Sequence, residues 1–121
     1  MFLFTFRSRV NPKSKRVKEF SQFGGAYVNC WISFKDYEAA EKLAKLLIRE
    51  SGWIPELKTG DSLVQRKEVK KEEEQYYAEA LKYGYSLVFH TWPKDAKDAS
   101  KDYEWEESQR GRRKKTKGSG R

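Results

Sequence analysis

The feature that most constrains this chain is an alternation of residue types from Ala26 to Phe34. The even-numbered positions are apolar, whereas the odd-numbered positions carry Tyr27, Asn29, Trp31 and Ser33. A period of two is typical of a β-strand with one buried face. We call the two sides of this strand the even face and the odd face. Because an apolar face must be covered by another layer, the alternation predicts a sheet packed against helices.

Patterned segments on both sides of this strand complete an α+β arrangement. Phe2, Phe4 and Phe6 alternate with Leu3, Thr5 and Arg7 and predict an extra N-terminal strand over residues 2–8. A basic loop over residues 10–25 is expected to follow it. Asp36 can cap a helix whose apolar residues recur at steps of three and four until Gly52. Acidic residues open a second helix that ends at Gly84. The remaining predicted strands are 53–58, a weak one at 62–67 and 85–92, with a turn at 59–61 between the first two.

From residue 26 onward the predicted order is β-α-β-β-α-β, which favours a two-layer ferredoxin-like plait. In that fold an antiparallel sheet carries both helices on one face, and here Leu81 would help to cover it. The alternative is a sheet of three or four strands in which residues 62–71 form a loop. We expect this α+β domain to span residues 1–93, and residues 94–121 to form a charged, largely disordered tail.

Positive charge is concentrated at the two ends of the chain. The net charge is +8, with blocks of +5 in residues 1–20, −4 in residues 21–109 and +7 in residues 110–121. Local charge of this kind steers a chain toward a polyanion. The sequence contains no apolar run long enough to span a bilayer, and the single Cys30 cannot form an internal disulfide. We therefore expect a cytoplasmic protein without a membrane partner.

Motifs for catalysis or metal binding are missing from the sequence. His90 is the only histidine, so a two-histidine metal site within one chain is excluded. Cys30 lies in the apolar row of a strand, where a thiol is an inert packing residue. We predict no metal site, no cofactor and no catalytic residue. A small hydrolase that uses His90 with a carboxylate is a rival hypothesis.

Aromatic and hydrogen-bonding residues share the odd face of the predicted sheet. This layout resembles the sheets on which RNA-binding domains stack bases. The alternative is that this face is covered by the N-terminal segment, by the tail or by a second copy of the chain. The candidate nucleic-acid-binding residues within the domain are Arg7, Arg9, Tyr27, Trp31, His90 and Trp92.

The basic tail is a second candidate contact for nucleic acid, since arginine-rich segments bind phosphates and fold on RNA. A solubilising or localising role is the alternative. RNA is the partner we expect, rather than DNA. A regulatory protein-binding module that forms a homodimer through the odd face is the rival from another class. The candidate residues in the tail are Arg110, Arg112, Arg113, Lys114, Lys115 and Lys117.

Three short strings of the sequence form recognisable motifs. Gly-Ala-Tyr-Val-Asn-Cys-Trp-Ile at 25–32, Gly-Trp-Ile-Pro-Glu at 52–56 and Phe-His-Thr-Trp-Pro at 89–93 resemble a small family of bacterial proteins without an assigned activity. The resemblance covers residues 1–93. It implies a bacterial-type cytoplasmic domain and transfers no functional residue.

Overall fold

The computed structural model describes residues 1–94 and shows an α+β chain built on one four-stranded antiparallel sheet. The strands are β1 (Phe2–Val10), β2 (Phe23–Ile32), β3 (Trp53–Leu63) and β4 (Tyr85–Pro93), and the α-helices are α1 (Tyr37–Glu50) and α2 (Glu74–Tyr83). The spatial order is β3-β1-β2-β4, so β1 and β2 are central. The α+β class and the antiparallel sheet are confirmed.

The alternation in β2 holds in the structure. Ala26, Val28 and Cys30 on the even face have no exposed surface. Strand β1 pairs with β2 so that Phe4 lies opposite Cys30 and Phe6 opposite Val28, and both rings are buried in the same core. The N-terminal strand is therefore a central strand of the sheet, because its two phenylalanines complete the even face.

Helix α1 covers the even face. The Asp36 carboxylate accepts a hydrogen bond from the backbone N–H of Ala39 at 2.8 Å, as expected of an N-cap. Gly52 follows the helix with a φ of 95°, a left-handed conformation that favours glycine. Ala40, Ala44 and Ile48 are fully buried in the core. The two alanines let the helix backbone approach the sheet closely, since they have little side-chain volume.

Strand β3 differs from the prediction. Residues 59–61 were expected to form a turn, yet they lie inside one continuous strand, opposite β1. A register shift between Thr5 and Phe6, which skips Thr59, accommodates them without a break. The chain then passes through two 3₁₀ helices, Arg66–Glu68 and Lys71–Glu73, so the weak second strand is absent from the described residues. The ferredoxin-like strand order is not found.

Helix α2 contacts the odd face of the sheet, and not the face covered by α1. The ring of Tyr77 packs edge-on against Trp31, with 6.5 Å between ring centroids. The Ser86 hydroxyl donates to the Glu79 carboxylate at 2.8 Å, and Ser86 lies opposite Trp31 in the β2–β4 pairing. The expected arrangement of both helices on one face is therefore wrong. Leu81, expected to cover the core, is exposed.

A polar cluster joins α1 to the edge strand β3. The Lys58 ammonium group donates to the Tyr37 hydroxyl at 2.6 Å and to the Glu41 carboxylate at 2.9 Å. The Tyr37 hydroxyl in turn donates to Asp61. Hydrogen bonds to Tyr37 and Glu41 raise the pKa of Lys58, while the hydrogen bond from Lys58 lowers the pKa of Glu41. These contacts form a clamp between the helix and the strand.

Candidate functional site

The predicted aromatic residues of the odd face fall into two groups. Trp31 lies under α2 and is only 2% exposed, and Tyr27 is only 7% exposed. Neither ring presents a free face to a stacking base. Arg7, His90 and Trp92 lie on the part of the odd face farther from α2 and keep exposed surface. The candidate site is therefore limited to the half of the odd face that carries Arg7, His90 and Trp92.

Gly25 positions the indole of Trp92. The two residues are paired across β2 and β4, and Trp92 packs on Tyr27 with 5.4 Å between ring centroids. A Cβ atom added to Gly25 would lie 2.5 Å from the Trp92 ring, so the indole occupies the space that a side chain would need. A glycine inside a strand often marks a close approach of this kind. The prediction had placed Gly25 in a loop.

Arg7 lies beside Trp92 on the same face. Its guanidinium carbon is 5.6 Å from the centroid of the indole, within cation–π range. Arg7 is exposed, whereas Trp92 is half-buried. The pair thus combines a fixed aromatic ring with a planar cation that faces solvent.

A polar chain crosses three strands next to this pair. The Thr5 hydroxyl donates to the Asn29 side-chain oxygen at 2.8 Å, and the Asn29 amide nitrogen lies 3.3 Å from Nε2 of His90. When the amide donates, Nε2 is the acceptor and the ring proton sits on Nδ1. Thr5 and Asn29 were not among the predicted site residues, although the alternation had placed Asn29 on this face and had left the face of Thr5 open. The hydrolase hypothesis for His90 stays a prediction.

Arg9, the other predicted arginine of β1, is held by a carboxylate. Its Nε atom lies 2.7 Å from Glu56 of β3, and both side chains are about half exposed. An exposed pair of this kind contributes about 0–1 kcal/mol, so a stronger anion can displace the carboxylate. Arg9 is therefore less available than Arg7 for binding a phosphate.

The loop between β1 and β2 adds further cations at the same end of the sheet. Phe20 fixes this loop by packing on Trp53, with 5.4 Å between ring centroids. Arg16 pairs with Glu19 at 2.8 Å. We use "basic end" for the end of the sheet where β1 and β4 finish and β2 begins. Its exposed cations are Arg7, Arg9, Lys13, Lys15, Arg16, Lys18 and Lys94.

Cys30 shows none of the properties of a reactive thiol. It is buried in the core, and burial raises its pKa to about 12. The thiol is therefore protonated at neutral pH.

Residues 1–94 contain no group of side chains able to hold a metal ion. Neither α-helix in this range is long and apolar enough to cross a membrane. The predicted tail residues, Arg110 to Lys117, lie outside the described residues.

Comparison with known proteins gave no match: no family model, no curated protein and no solved structure matches this chain. The strings at 25–32, 52–56 and 89–93 therefore have no support beyond the resemblance itself. Their residues have structural roles, since they include Gly25, Cys30 and Trp53, which are all buried.

Proposed function

We propose that this chain binds single-stranded nucleic acid, RNA rather than DNA, at the basic end of its sheet. The observation that carries the proposal is the pair formed by Arg7 and Trp92 on the half of the odd face farther from α2. An indole and a guanidinium both offer flat surfaces on which an unpaired base stacks. Stacking of one base on an aromatic ring contributes about 1–3 kcal/mol.

The charges around this pair favour the same ligand. Lys13, Lys15 and Lys18 are exposed, and no ion pair within residues 1–94 involves them. Lysines at the same end of the sheet can bind phosphates and displace their counterions, which makes binding depend steeply on salt. The chain also leaves β4 at this end, through Lys94. The seven cations of residues 110–121 are thus tethered to the end of the sheet that carries the proposed site.

The preference for RNA rests on the polar chain beside the pair. Asn29 and His90 keep partly exposed side chains with hydrogen-bonding atoms. A 2′-hydroxyl is both a donor and an acceptor, so it can bind to either an amide or an imidazole. A DNA strand of the same sequence lacks this group. The proposal therefore expects weaker binding of DNA.

Binding of a labelled single-stranded RNA, followed by fluorescence anisotropy at several salt concentrations, tests the proposal. Trp92→Leu removes the stacking ring and should weaken binding roughly tenfold or more. Arg7→Ala should weaken it as well, and should reduce the slope of affinity against salt by about one phosphate contact. Measured against RNA and DNA of one sequence, the wild-type chain should favour RNA.

The chain contains a matched control for this experiment. Arg66 lies 5.4 Å from the ring centroid of Tyr77, nearly the same geometry as the Arg7–Trp92 pair, but on the side of the sheet covered by α2. Arg66→Ala removes the same charge and should leave the affinity for RNA almost unchanged. Equal losses of affinity in Arg7→Ala and Arg66→Ala would show that binding depends only on general electrostatic attraction. Full affinity of Trp92→Leu would refute the proposed site.

A further inference from the structure

The two edge strands of the sheet differ in how they are protected against pairing with another strand. Strand β3 carries Pro55, the charged residues Glu56, Lys58 and Asp61, and two register shifts. Prolines, charges and bulges are the devices by which proteins block an edge. Strand β4 has no Lys, Arg, Asp, Glu or proline from Tyr85 to Trp92, and its pairing with β2 is regular over those residues.

Exposed aromatic rings lie at the start of strand β4, beside its unprotected edge. Tyr85 is 42% exposed, Tyr83 is 64% exposed and Phe34 is 53% exposed. The backbone N–H of Ser33 donates to the Gly84 carbonyl at 2.9 Å, which brings the segment with Phe34 next to the turn between α2 and β4. Contiguous exposed apolar surface of this kind marks an interaction site.

We propose that β4 pairs with β4 of a second copy of this chain, antiparallel about a two-fold axis, to form a continuous eight-stranded sheet. Identical strands meet across such an axis, so an edge free of charged residues places no like charges against each other. The antiparallel arrangement also directs the two basic ends away from each other. Tyr85 of each copy then lies beside the last even-face residues of the partner's β4, on the face opposite to Trp92.

This pairing is independent of nucleic-acid binding. Strands that join edge to edge add no cover to either face of the sheet, so the Arg7–Trp92 pair stays accessible to a ligand. Dimerisation and nucleic-acid binding should respond to salt in opposite directions. Each copy has a net charge of +8, and screening of their repulsion should strengthen the dimer as salt rises. Contacts to phosphate weaken under the same conditions.

The test is the molar mass of the full chain, freed of nucleic acid, measured by light scattering over a wide range of concentration. The wild-type chain should reach twice the monomer mass, at lower concentration when salt is raised. Tyr85→Lys places a charge twice in the interface and should weaken self-association by about tenfold. Leu57→Lys is the matched control, since Leu57 is an exposed apolar residue on the protected edge β3, and it should dimerise like the wild type.

Hydrogen exchange of the β4 amides shows whether a second copy of the chain or residues 95–121 pair with the edge of β4. Protection that increases with protein concentration supports pairing with a second copy. A monomeric mass at every concentration overturns the proposal, and protected β4 amides in that monomer would assign the edge to residues 95–121. A doubled mass that falls as salt rises also overturns it, because attraction between opposite charges would then hold the two copies together. Equal losses of self-association in Tyr85→Lys and Leu57→Lys would also overturn the proposal.

Discussion

At the scale of single residues, Gly25 determines whether the indole of Trp92 can lie flat against the sheet. A Cβ atom at Gly25 would stand 2.5 Å from the Trp92 ring and 3.0 Å from the Ser8 carbonyl oxygen. Gly25→Ala should therefore displace the ring and lower the free energy of unfolding by about 1–3 kcal/mol, as measured by urea denaturation. Gly60→Ala is the control, because its Cβ would meet Thr5 at an ordinary 3.7 Å. Equal destabilisation by the two variants would contradict this account.

Single residues also show how far the sequence could predict the candidate site. Alternation placed Tyr27, Trp31, His90 and Trp92 on one face correctly, because the period of a strand is local and independent of the rest of the fold. Whether a given ring on that face is covered depends on where α2 lies, which is a tertiary property. Trp31 did carry a signal, since an indole in a central strand normally requires cover.

At the scale of elements, the clamp between α1 and β3 makes the stability of this junction depend on pH. Lys58 lowers the pKa of Glu41, and the hydrogen bond from Tyr37 lowers the pKa of Asp61. A carboxyl group with a depressed folded-state pKa stabilises the fold above its ordinary pKa, 4.5 for Glu and 3.8 for Asp, and this contribution is lost as the pH falls further. Urea midpoints should therefore fall less steeply below these values in Lys58→Met than in the wild type.

Lys45 provides the control for this pH dependence. It pairs with Glu41 at 3.3 Å within α1 and does not reach β3. Lys45→Met should keep most of the acid sensitivity of the wild type, because the contacts from Lys58 remain. High salt should shrink the difference between Lys58→Met and the wild type, since these side chains are partly exposed. Identical acid profiles for Lys58→Met and the wild type would show that the clamp contributes nothing measurable.

The helices and strands also show which parts of the fold could be predicted from the sequence. Helix α1 was predictable because its cap, its apolar stripe and its terminal glycine agree. Residues 59–61 contain Thr, Gly and Asp, which favour a turn, but a register shift at Thr59 keeps them within one strand that pairs with β1. Helix α2 has a weaker stripe in which Ala80 is the one fully buried residue. Its pattern was therefore insufficient to choose between the two faces of the sheet.

At the scale of the whole molecule, the basic end and the residues of the tail should act on the same nucleic-acid strand. A chain that ends after Gln109 loses seven cations, and tethering of those cations raises their effective concentration near the site. Each phosphate contact to a single strand contributes about 0.7 to the slope of log affinity against log salt, so the deletion should reduce the slope by at most about 5.

The combination of this deletion with Trp92→Leu separates the tail from the sheet. If the sheet holds the base while the tail contacts phosphates, Trp92→Leu should cost the truncated chain about as much affinity as it costs the full chain, because the two sets of contacts are distinct. Anisotropy titrations with one RNA measure all four affinities, and circular dichroism checks that each variant is folded. If the truncated chain does not bind while full-length Trp92→Leu binds normally, the tail alone is the nucleic-acid contact and the sheet has another role.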